Sequence, residues 1–379
     1  MNKTEELILR GVVLPAPEAV SIDDDVDVNR IEAGAIIFAG SHLTGKDTFI
    51  GAQSRVGQGG GAWIENCQIG RGCTLMQGCY RDSTLLDGAN ARNGAEIRDN
   101  CLLEEDASLG HTVGLKQTIF MTNVVAGSLI NFCDALISGG RSRKDHSEIG
   151  SCMALYNFTP QGDKFASLFG DPQRGVFLDQ APIFIGGQTQ IISPVQVGFG
   201  SIIAAGTRLT HDVAEGRLVS GGAARDRDIA NDPVRVNRPR QKVAATYAFI
   251  RSLDALKTWY ERVRRPALAG VSAYDALLPF AIRRLEAAKN ERLKRLVTFR
   301  AHIEASLQLA RLTPQDTSDH RDALDLLQTP CDNIYHFDIL DNIAHILRDA
   351  LALNPSWQTA VQALPDALKR TPWCESLEP

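Results

Sequence analysis

The chain has 379 residues, 44% of them hydrophobic, and is therefore long enough to form two domains with separate cores. Its formal net charge of −5 at pH 7 provides no overall basic field, so general binding to nucleic acid or to an anionic membrane surface is not favoured. The first residues show no apolar leader pattern, and no run of about 18 apolar residues occurs. We therefore expect a soluble cytoplasmic protein.

Aliphatic residues recur at every sixth position along much of the chain up to residue 219. The clearest run consists of Ile185, Ile191, Val197, Ile203 and Leu209. Neither an α-helix nor an ordinary strand has this period, whereas in a solenoid each hexapeptide supplies one short strand and one corner. The period predicts a parallel β-helix over residues 31–222, preceded by an N-terminal cap over residues 1–30.

The [LIV]-G-x-x-x-x pattern resembles the hexapeptide-repeat transferases. Residues 192–213, ISPVQVGFGSIIAAGTRLTHDV, are similar to the acetyltransferase half of the bacterial N-acetylglucosamine-1-phosphate uridyltransferases. The resemblance covers about residues 31–219 and implies a left-handed β-helix with three strands per coil. It also implies a homotrimer with active sites shared between subunits, and an acyl donor such as acetyl-CoA.

Four of the eight cysteines follow the six-residue register. Cys67, Cys73 and Cys79 are six residues apart, Cys101 occupies the equivalent position after Ile97, and no C-x-x-C pair occurs. This register predicts that the four thiols fill the core as small apolar side chains. We expect neither disulfides nor a metal site.

The catalytic histidine of the family lies in a Pro-His-Leu-Ser/Thr-Tyr-x-Gly-Asp motif, which we match to residues 126–135. Ser128 stands at the position of the histidine, and Asp134 matches the aspartate. The resemblance implies a substrate site that includes Ser128, Asn131 and Asp134. Because a serine hydroxyl cannot accept a proton near neutral pH as an imidazole does, family-type chemistry requires another histidine here.

The repeat fails between about residues 139 and 182, and a long irregular segment in a compact domain usually has a function. Its guanidinium and ammonium groups suit a phosphate or pyrophosphate, although an ordinary solvated loop is the alternative. The anion-binding candidates are Arg141, Arg143, Lys144 and Lys164. The other substrate-binding candidates are Tyr156, Asn157, Thr159 and Asp163.

His146 is the favoured proton acceptor in this segment, because Glu148 follows it closely and can orient its ring. His111, about one coil before Ser128, and His211, in the last coil, are alternatives for which an ordinary structural position is favoured. His146 and Glu148 are thus the predicted catalytic pair.

Segments 139–148, 157–164, 170–176 and 186–188 look like those of bacterial proteins related to UDP-N-acetylglucosamine pyrophosphorylase. A pyrophosphorylase needs a Gly-rich nucleotide-binding α/β domain, and no such pattern precedes residue 31. Nucleotidyl transfer is therefore not expected.

Helical periodicity begins after a Gly-, Pro- and Arg-rich crossing, which predicts an all-α domain over residues 223–379. Between Arg235 and Arg311 there are seventeen Lys and Arg residues but six Asp and Glu residues. This cationic segment can face an anionic partner or neutralise acidic groups of the same protein, and we favour the second interpretation.

Two functional hypotheses follow. The first is a transferase-like protein that binds a nucleotide sugar or sugar phosphate where the coils are interrupted, with acyl transfer as its reaction. The second is a non-catalytic trimeric scaffold, in which the acetyltransferase site has degenerated and the helical domain recruits a partner.

Overall fold

The computed structural model describes residues 2–157, 165–222, 226, 228, 230–309 and 312–376. Short parallel strands stack into a left-handed β-helix of about 11 turns, which has three faces. Strand residues 18 apart are paired, as in Ile185 with Ile203 and Ile191 with Leu209. Three hexapeptides therefore complete one coil, as the six-residue period predicts.

Each face is a ladder of strands from successive coils. The first face contains Ile36–Ile37, Asn90–Ala91, Ser108–Leu109, Val125–Ala126, Glu148–Ile149, Phe184–Ile185, Ile202–Ile203 and Leu218–Val219. The second face contains Ser21–Ile22, His42–Thr44, Ala95–Ile97, Ala154–Tyr156, Gln190–Ile192 and Arg208–Leu209. The third face contains Phe49–Ile50, Gln68–Ile69, Thr84–Leu85, Leu102–Leu103, Ser167–Phe169 and Gln196–Val197.

Four longer strands turn a corner and belong to two faces each. Arg55–Glu65 and Thr74–Arg81 join the first face to the second. Val113–Phe120 and Ile130–Ile137 join the second face to the third.

The inward positions form the predicted apolar axis. Ile185, Ile191, Ile203 and Leu209 are fully buried, and Val197 is 2% exposed. Burying one such side chain stabilises the fold by about 1.5–3 kcal/mol, which makes the sixth positions the main determinant of the solenoid.

The prediction for the cysteines is right for three residues and wrong for the fourth. Cys67, Cys73 and Cys101 are fully buried, whereas Cys79 is exposed. Tyr80 takes the inward position instead and is fully buried, with its hydroxyl donating to the Met76 carbonyl at 3.0 Å. Leu75 and Tyr80 are both buried inward residues but are five residues apart, so the corner within the strand Thr74–Arg81 is one residue shorter than the six-residue period.

Two boundaries differ from the sequence-based expectation. The segment 139–182 contains three solenoid strands, Glu148–Ile149, Ala154–Tyr156 and Ser167–Phe169, so it is not irregular throughout. Residues 139–147 and 170–182 are two separate connecting segments, and each of them leads from a third-face strand to a first-face strand. At the N-terminus, Ser21–Ile22 already pairs with the second face, so coil structure begins before residue 31.

Nine α-helices are present in the described ranges. They are α1 (Lys3–Leu9), α2 (Pro172–Gly175), α3 (Pro239–Trp259), α4 (Arg265–Ala267), α5 (Ser272–Leu307), α6 (Pro314–Leu326), α7 (Phe337–Leu353), α8 (Trp357–Gln362) and α9 (Asp366–Arg370). A π-helical turn, Tyr260–Arg264, connects α3 to α4, and a small hairpin pairs Asn333–Tyr335 with Cys374–Ser376. None of these helices has both the length and the apolar character needed to cross a membrane.

The helical region packs on the third face because the outward positions there are apolar. Phe49, Leu102, Ile119 and Leu136 are at most 5% exposed and belong to the same apolar cluster as α3 and α5. Outward residues of the second face are mainly polar or exposed, so that face remains uncovered by helices. The third face of the solenoid is therefore buried against the helical region.

Ion pairs join the cationic helical segment to acidic corners of the solenoid. Arg283 lies 3.5 Å from Asp47, and the buried Arg292 pairs with Asp134. The neutralisation that the sequence analysis favoured therefore occurs within the chain.

The deepest of these contacts is a buried cluster around Arg264, which is 1% exposed. Its guanidinium pairs with Glu105 and lies 3.4 Å from a carboxylate oxygen of Glu104. The Tyr260 hydroxyl donates to Glu104 at 2.7 Å. Burial raises the pKa of the Glu104 carboxyl, an effect that the nearby guanidinium opposes.

Asp87 lies next to this cluster, and burial raises the pKa of its carboxyl to about 6. Because the unfolded chain releases this proton near pH 3.8, the folded state binds it more tightly, and stability falls as the pH rises from about 4 to 6. We expect Asp87→Asn, which keeps an acceptor for the Arg71 N–H, to be more stable than the wild type at pH 7.5 by roughly 2–3 kcal/mol.

Urea unfolding of both proteins at pH 4 and pH 7.5 measures this effect. The two proteins should have similar stabilities at pH 4 and different ones at pH 7.5. A difference that is the same at both pH values contradicts the linkage.

Candidate functional site

The predicted basic loop forms a compact turn at the corner between the third and first faces. Arg141 pairs with Asp145, and backbone hydrogen bonds between residues 142 and 145 close the turn. Arg143 donates to the Asp106 carbonyl, while Lys144 is exposed. The two guanidinium groups thus already have partners within the chain.

The His146 ring is not held by Glu148. Its Nδ1 lies 2.9 Å from the Arg143 carbonyl oxygen, and no ion pair between His146 and Glu148 occurs. Glu148 lies on the first face between Val125 and Phe184, and its carboxylate has no hydrogen-bond partner among the described residues. The orienting role predicted for Glu148 is therefore not observed in this arrangement.

Asp134 is engaged by the helical region. It adopts a left-handed backbone conformation at the corner between the second and third faces, where it pairs with Arg292 of α5. Arg295 lies 3.8 Å away. The carboxylate expected in the substrate site thus forms an ion pair between the solenoid and helix α5.

The remaining predicted residues lie on the second face or outside the described ranges. Asn131 and Tyr156 belong to adjacent strands of the second face and are exposed, and Asn157 follows Tyr156. The Ser128 hydroxyl accepts from the backbone N–H of His111 at 3.2 Å, so His111 does lie one coil before it. Thr159, Asp163 and Lys164 lie outside the described residues.

The structure therefore divides the predicted site. The group formed by Arg141, Arg143, His146 and Glu148 lies around the first face, whereas Asn131 and Tyr156 lie on the second face. These residues were predicted to form one site because they are close along the chain. Successive strands of a coil belong to different faces, so the residues lie on different sides of the solenoid.

A different group converges at the N-terminal end of the second face. The His42 Nε2 atom lies 2.7 Å from Asp23 Oδ1, and the side chains are 27% and 43% exposed. Hydrogen bonds to His42 and Thr44 lower the pKa of the Asp23 carboxyl. A carboxylate that accepts from Nε2–H leaves Nδ1 as the free proton acceptor of a neutral imidazole.

Trp63 stands beside His42 in the next coil and borders the same cleft. The two ring centroids are 4.4 Å apart, with an interplanar angle of 56°. Trp63 is 43% exposed, whereas Trp259, Trp357 and Trp373 are at most 5% exposed. An outward indole at this position is available to a ligand.

A glycine bulge opens the cleft. The strand Arg55–Glu65 shifts register twice between Val56 and Ala62, which displaces residues 59–61 from the ladder. Gly61 has φ +87°, and a Cβ atom there would lie 2.2 Å from the Gly40 carbonyl oxygen, so only glycine fits. The resulting cleft has a volume of about 520 Å³.

The lining of this cleft mixes apolar and polar groups. Besides His42 and Trp63 it includes Gln77, Cys79 and Glu96, and no Lys or Arg lines it among the described residues. The cleft thus combines an oriented imidazole, an aromatic surface and hydrogen-bonding groups.

Sequence reasoning missed this cleft, although one signal was available. His42 lies in Ser41-His42-Leu43-Thr44, which has the His-Leu-Ser/Thr order of the family motif. The motif was instead matched to residues 126–135, where no histidine occurs. Asp23 carries no local signal, because only the stacking of coils brings it to His42.

None of the known family models matches this chain. A bifunctional protein GlmU from Trichormus variabilis is 28% identical over 215 residues, which cover 57% of this chain. The match spans 43% of the length of that relative. The similarity therefore concerns part of both proteins.

Three solved acyltransferase structures were also found, all with low TM-scores. The polySia-specific acetyltransferase NeuO has 12% identity and a TM-score of 0.18, and covers 56% of this chain and 79% of its own. The Arabidopsis UDP-N-acetylglucosamine acyltransferase has 15% identity and a TM-score of 0.24, with coverages of 71% and 93%. LpxA from Acinetobacter baumannii has 15% identity and a TM-score of 0.20, with coverages of 73% and 95%.

The assignment of the chain rests on its repeat, its coil geometry and the sequence match. The sixth-position residues point inward, three strands complete each coil, and 28% identity extends over 215 residues of the relative. The chain is therefore a hexapeptide-repeat β-helix protein that is similar in sequence to a bifunctional protein GlmU.

Proposed function

We propose that this protein transfers an acyl group from an acyl-CoA, such as acetyl-CoA, to a sugar phosphate or nucleotide sugar in the cytoplasm. The similarity to the bifunctional protein GlmU supports a transferase of this class. The observation that carries the proposal is the Asp23–His42 pair at 2.7 Å, in which His42 lines an open cleft, because acyl transfer requires an oriented proton acceptor.

In the proposed reaction, an amine or hydroxyl of the acceptor attacks the thioester carbonyl carbon. A new C–N or C–O bond forms, the C–S bond breaks, and the CoA thiol leaves. His42 Nδ1 takes the proton from the nucleophile and returns it to the departing sulfur, while Asp23 stabilises the transient imidazolium.

The basic loop remains a second candidate position for an anion. Arg141, Arg143 and Lys144 are exposed, and the two arginines can exchange their present partners for a phosphate. His146 and Glu148 are the alternative catalytic pair, for which the absence of a mutual contact is unfavourable.

Release of free thiol from acetyl-CoA tests the reaction directly. We expect release that depends on both the protein and an acceptor such as glucosamine 1-phosphate. Thermal unfolding with a panel of nucleotide sugars tests binding alone, since a ligand at 100 times its Kd stabilises by about 2.7 kcal/mol. No thiol release with any acceptor, together with unchanged midpoints, rejects the proposal.

We also propose that the protein is a homotrimer, as the resemblance implies. An exposed apolar ladder on the first face supports a contact between copies: Phe184 pairs with Ile202, which pairs with Leu218. Their exposures are 40%, 45% and 70%. Stacked apolar side chains of this kind are unusual on a face that only contacts water.

Sedimentation should give three times the chain mass of 41.3 kDa. Ile202→Lys should shift the mass to that of a single chain, because it places a charge in the apolar ladder. Gln190→Lys, an exposed position on the second face, is the matched control and should keep the wild-type mass. A wild-type protein that sediments as a monomer contradicts the trimer.

A further inference from the structure

We propose that the exposed indole of Trp63 is a stacking platform for an uncharged sugar ring, and that the phosphate groups of the ligand lie outside this cleft. The inference deepens the proposed function, on which it rests for the ligand's role as acyl acceptor. Binding to the platform can nevertheless be measured without any chemistry.

The environment of Trp63 indicates a ligand surface and not a packing position. Tryptophan usually buries most of its large apolar area, as the other three in this chain do. Trp63 instead projects from a second-face strand, with the His42 ring tilted against it on one side. Its remaining surface faces the cleft.

The charge of the side chains that line the cleft favours binding of a sugar ring over binding of a phosphate group. Phosphate recognition requires Arg, Lys or a cradle of backbone N–H groups beside cations. This cleft contains no Lys or Arg among the described residues, and Glu96 contributes a carboxylate. A phosphate is therefore disfavoured, whereas the hydroxyls of a sugar ring can pair with Glu96 and Gln77.

The size and the reactive group agree with this assignment. A volume of about 520 Å³ lies within the range of small-molecule sites, which is about 300–1,000 Å³. A ring stacked on Trp63 also lies beside His42, because the two side chains are in contact. The platform therefore places a substituent of the ring where the imidazole can take its proton.

Tryptophan fluorescence can report this binding selectively, since Trp63 is the exposed indole among the four. We expect N-acetylglucosamine to change the emission of the wild-type protein in a saturable manner, while inorganic phosphate has no effect. A response to uridine but not to the sugar overturns the inference in favour of base stacking. A response to phosphate alone overturns the charge argument.

Titration calorimetry with N-acetylglucosamine then measures the contribution of the ring. We expect Trp63→Ala to weaken binding about tenfold or more, corresponding to about 1.4 kcal/mol, and Trp63→Phe to weaken it less. Leu129→Ala, which removes an exposed apolar side chain elsewhere on the solenoid, is the control and should bind as the wild type does. Equal affinities for Trp63→Ala and the wild type overturn the inference.

The two proposals fail in different ways. Sugar binding that depends on Trp63 without thiol release rejects acyl transfer but keeps the platform. Thiol release that is unaffected in Trp63→Ala, at all sugar concentrations, keeps acyl transfer and rejects the platform.

Discussion

Arg264→Met is expected to destabilise the protein by about 3–5 kcal/mol, because it leaves two buried carboxylates without their cation. Glu104 and Glu105 are 3% and 4% exposed, and both lie against this guanidinium. The substitution also removes the cation–π contacts with Tyr260 and Trp357, whose ring centroids lie 4.7 and 4.6 Å from the guanidinium carbon. Urea unfolding at pH 7.5 measures the loss.

Arg262→Met is the matched control for this prediction. Arg262 lies two residues away and pairs with Asp341 at 2.7 Å, but both side chains are about half exposed. An exposed pair contributes about 0–1 kcal/mol, so this variant should remain close to the wild type. The combination of Arg264→Met with Glu105→Gln should recover part of the lost stability. Equal effects of the two single variants contradict the role assigned to the buried cluster.

His42→Gln is expected to reduce kcat for acyl transfer by about 10²- to 10⁴-fold, the usual contribution of a positioned general base. Glutamine keeps a hydrogen-bond donor toward Asp23 but cannot accept the proton of the nucleophile. The variant should therefore fold and bind the acceptor with little change. The measurement is the rate of thiol release at saturating acetyl-CoA.

His146→Gln serves as the control for His42. Its ring is bound to a backbone carbonyl, so the variant should retain most of the wild-type rate. Asp23→Asn should show an intermediate loss, since Asp23 acts only through His42. Loss of activity in His146→Gln with full activity in His42→Gln contradicts the proposed centre and supports the basic loop.

The fold was predictable because a single local period determines it. An aliphatic side chain occurs at every sixth position and must be buried. This local requirement predicts the coils, and no contact between distant residues has to be known. Prediction failed at Cys79, because the inward residues Leu75 and Tyr80 are five and not six residues apart. Prediction also missed that the helices pack on the third face, although apolar residues at outward positions, such as Leu102 and Leu136, indicated a buried face.

The site was less predictable because it depends on contacts between coils and between domains. Asp23 meets His42 only through coil stacking, and irregular corners make the number of residues per coil vary in this region. Asp134 pairs with Arg292, a partner 158 residues away that no local motif indicates. Clustering of charges along the sequence therefore favoured the basic loop, whose residues lie around a different face.

The most direct measurement is the electron density of a sugar phosphate acceptor in crystals of the full chain. We expect the sugar ring to lie against Trp63 with its nucleophilic atom near His42 Nδ1, and the phosphate to lie outside the cleft. A ligand bound solely at Arg141, Arg143 and Lys144, with the cleft unoccupied, contradicts a substrate site at His42 and Trp63.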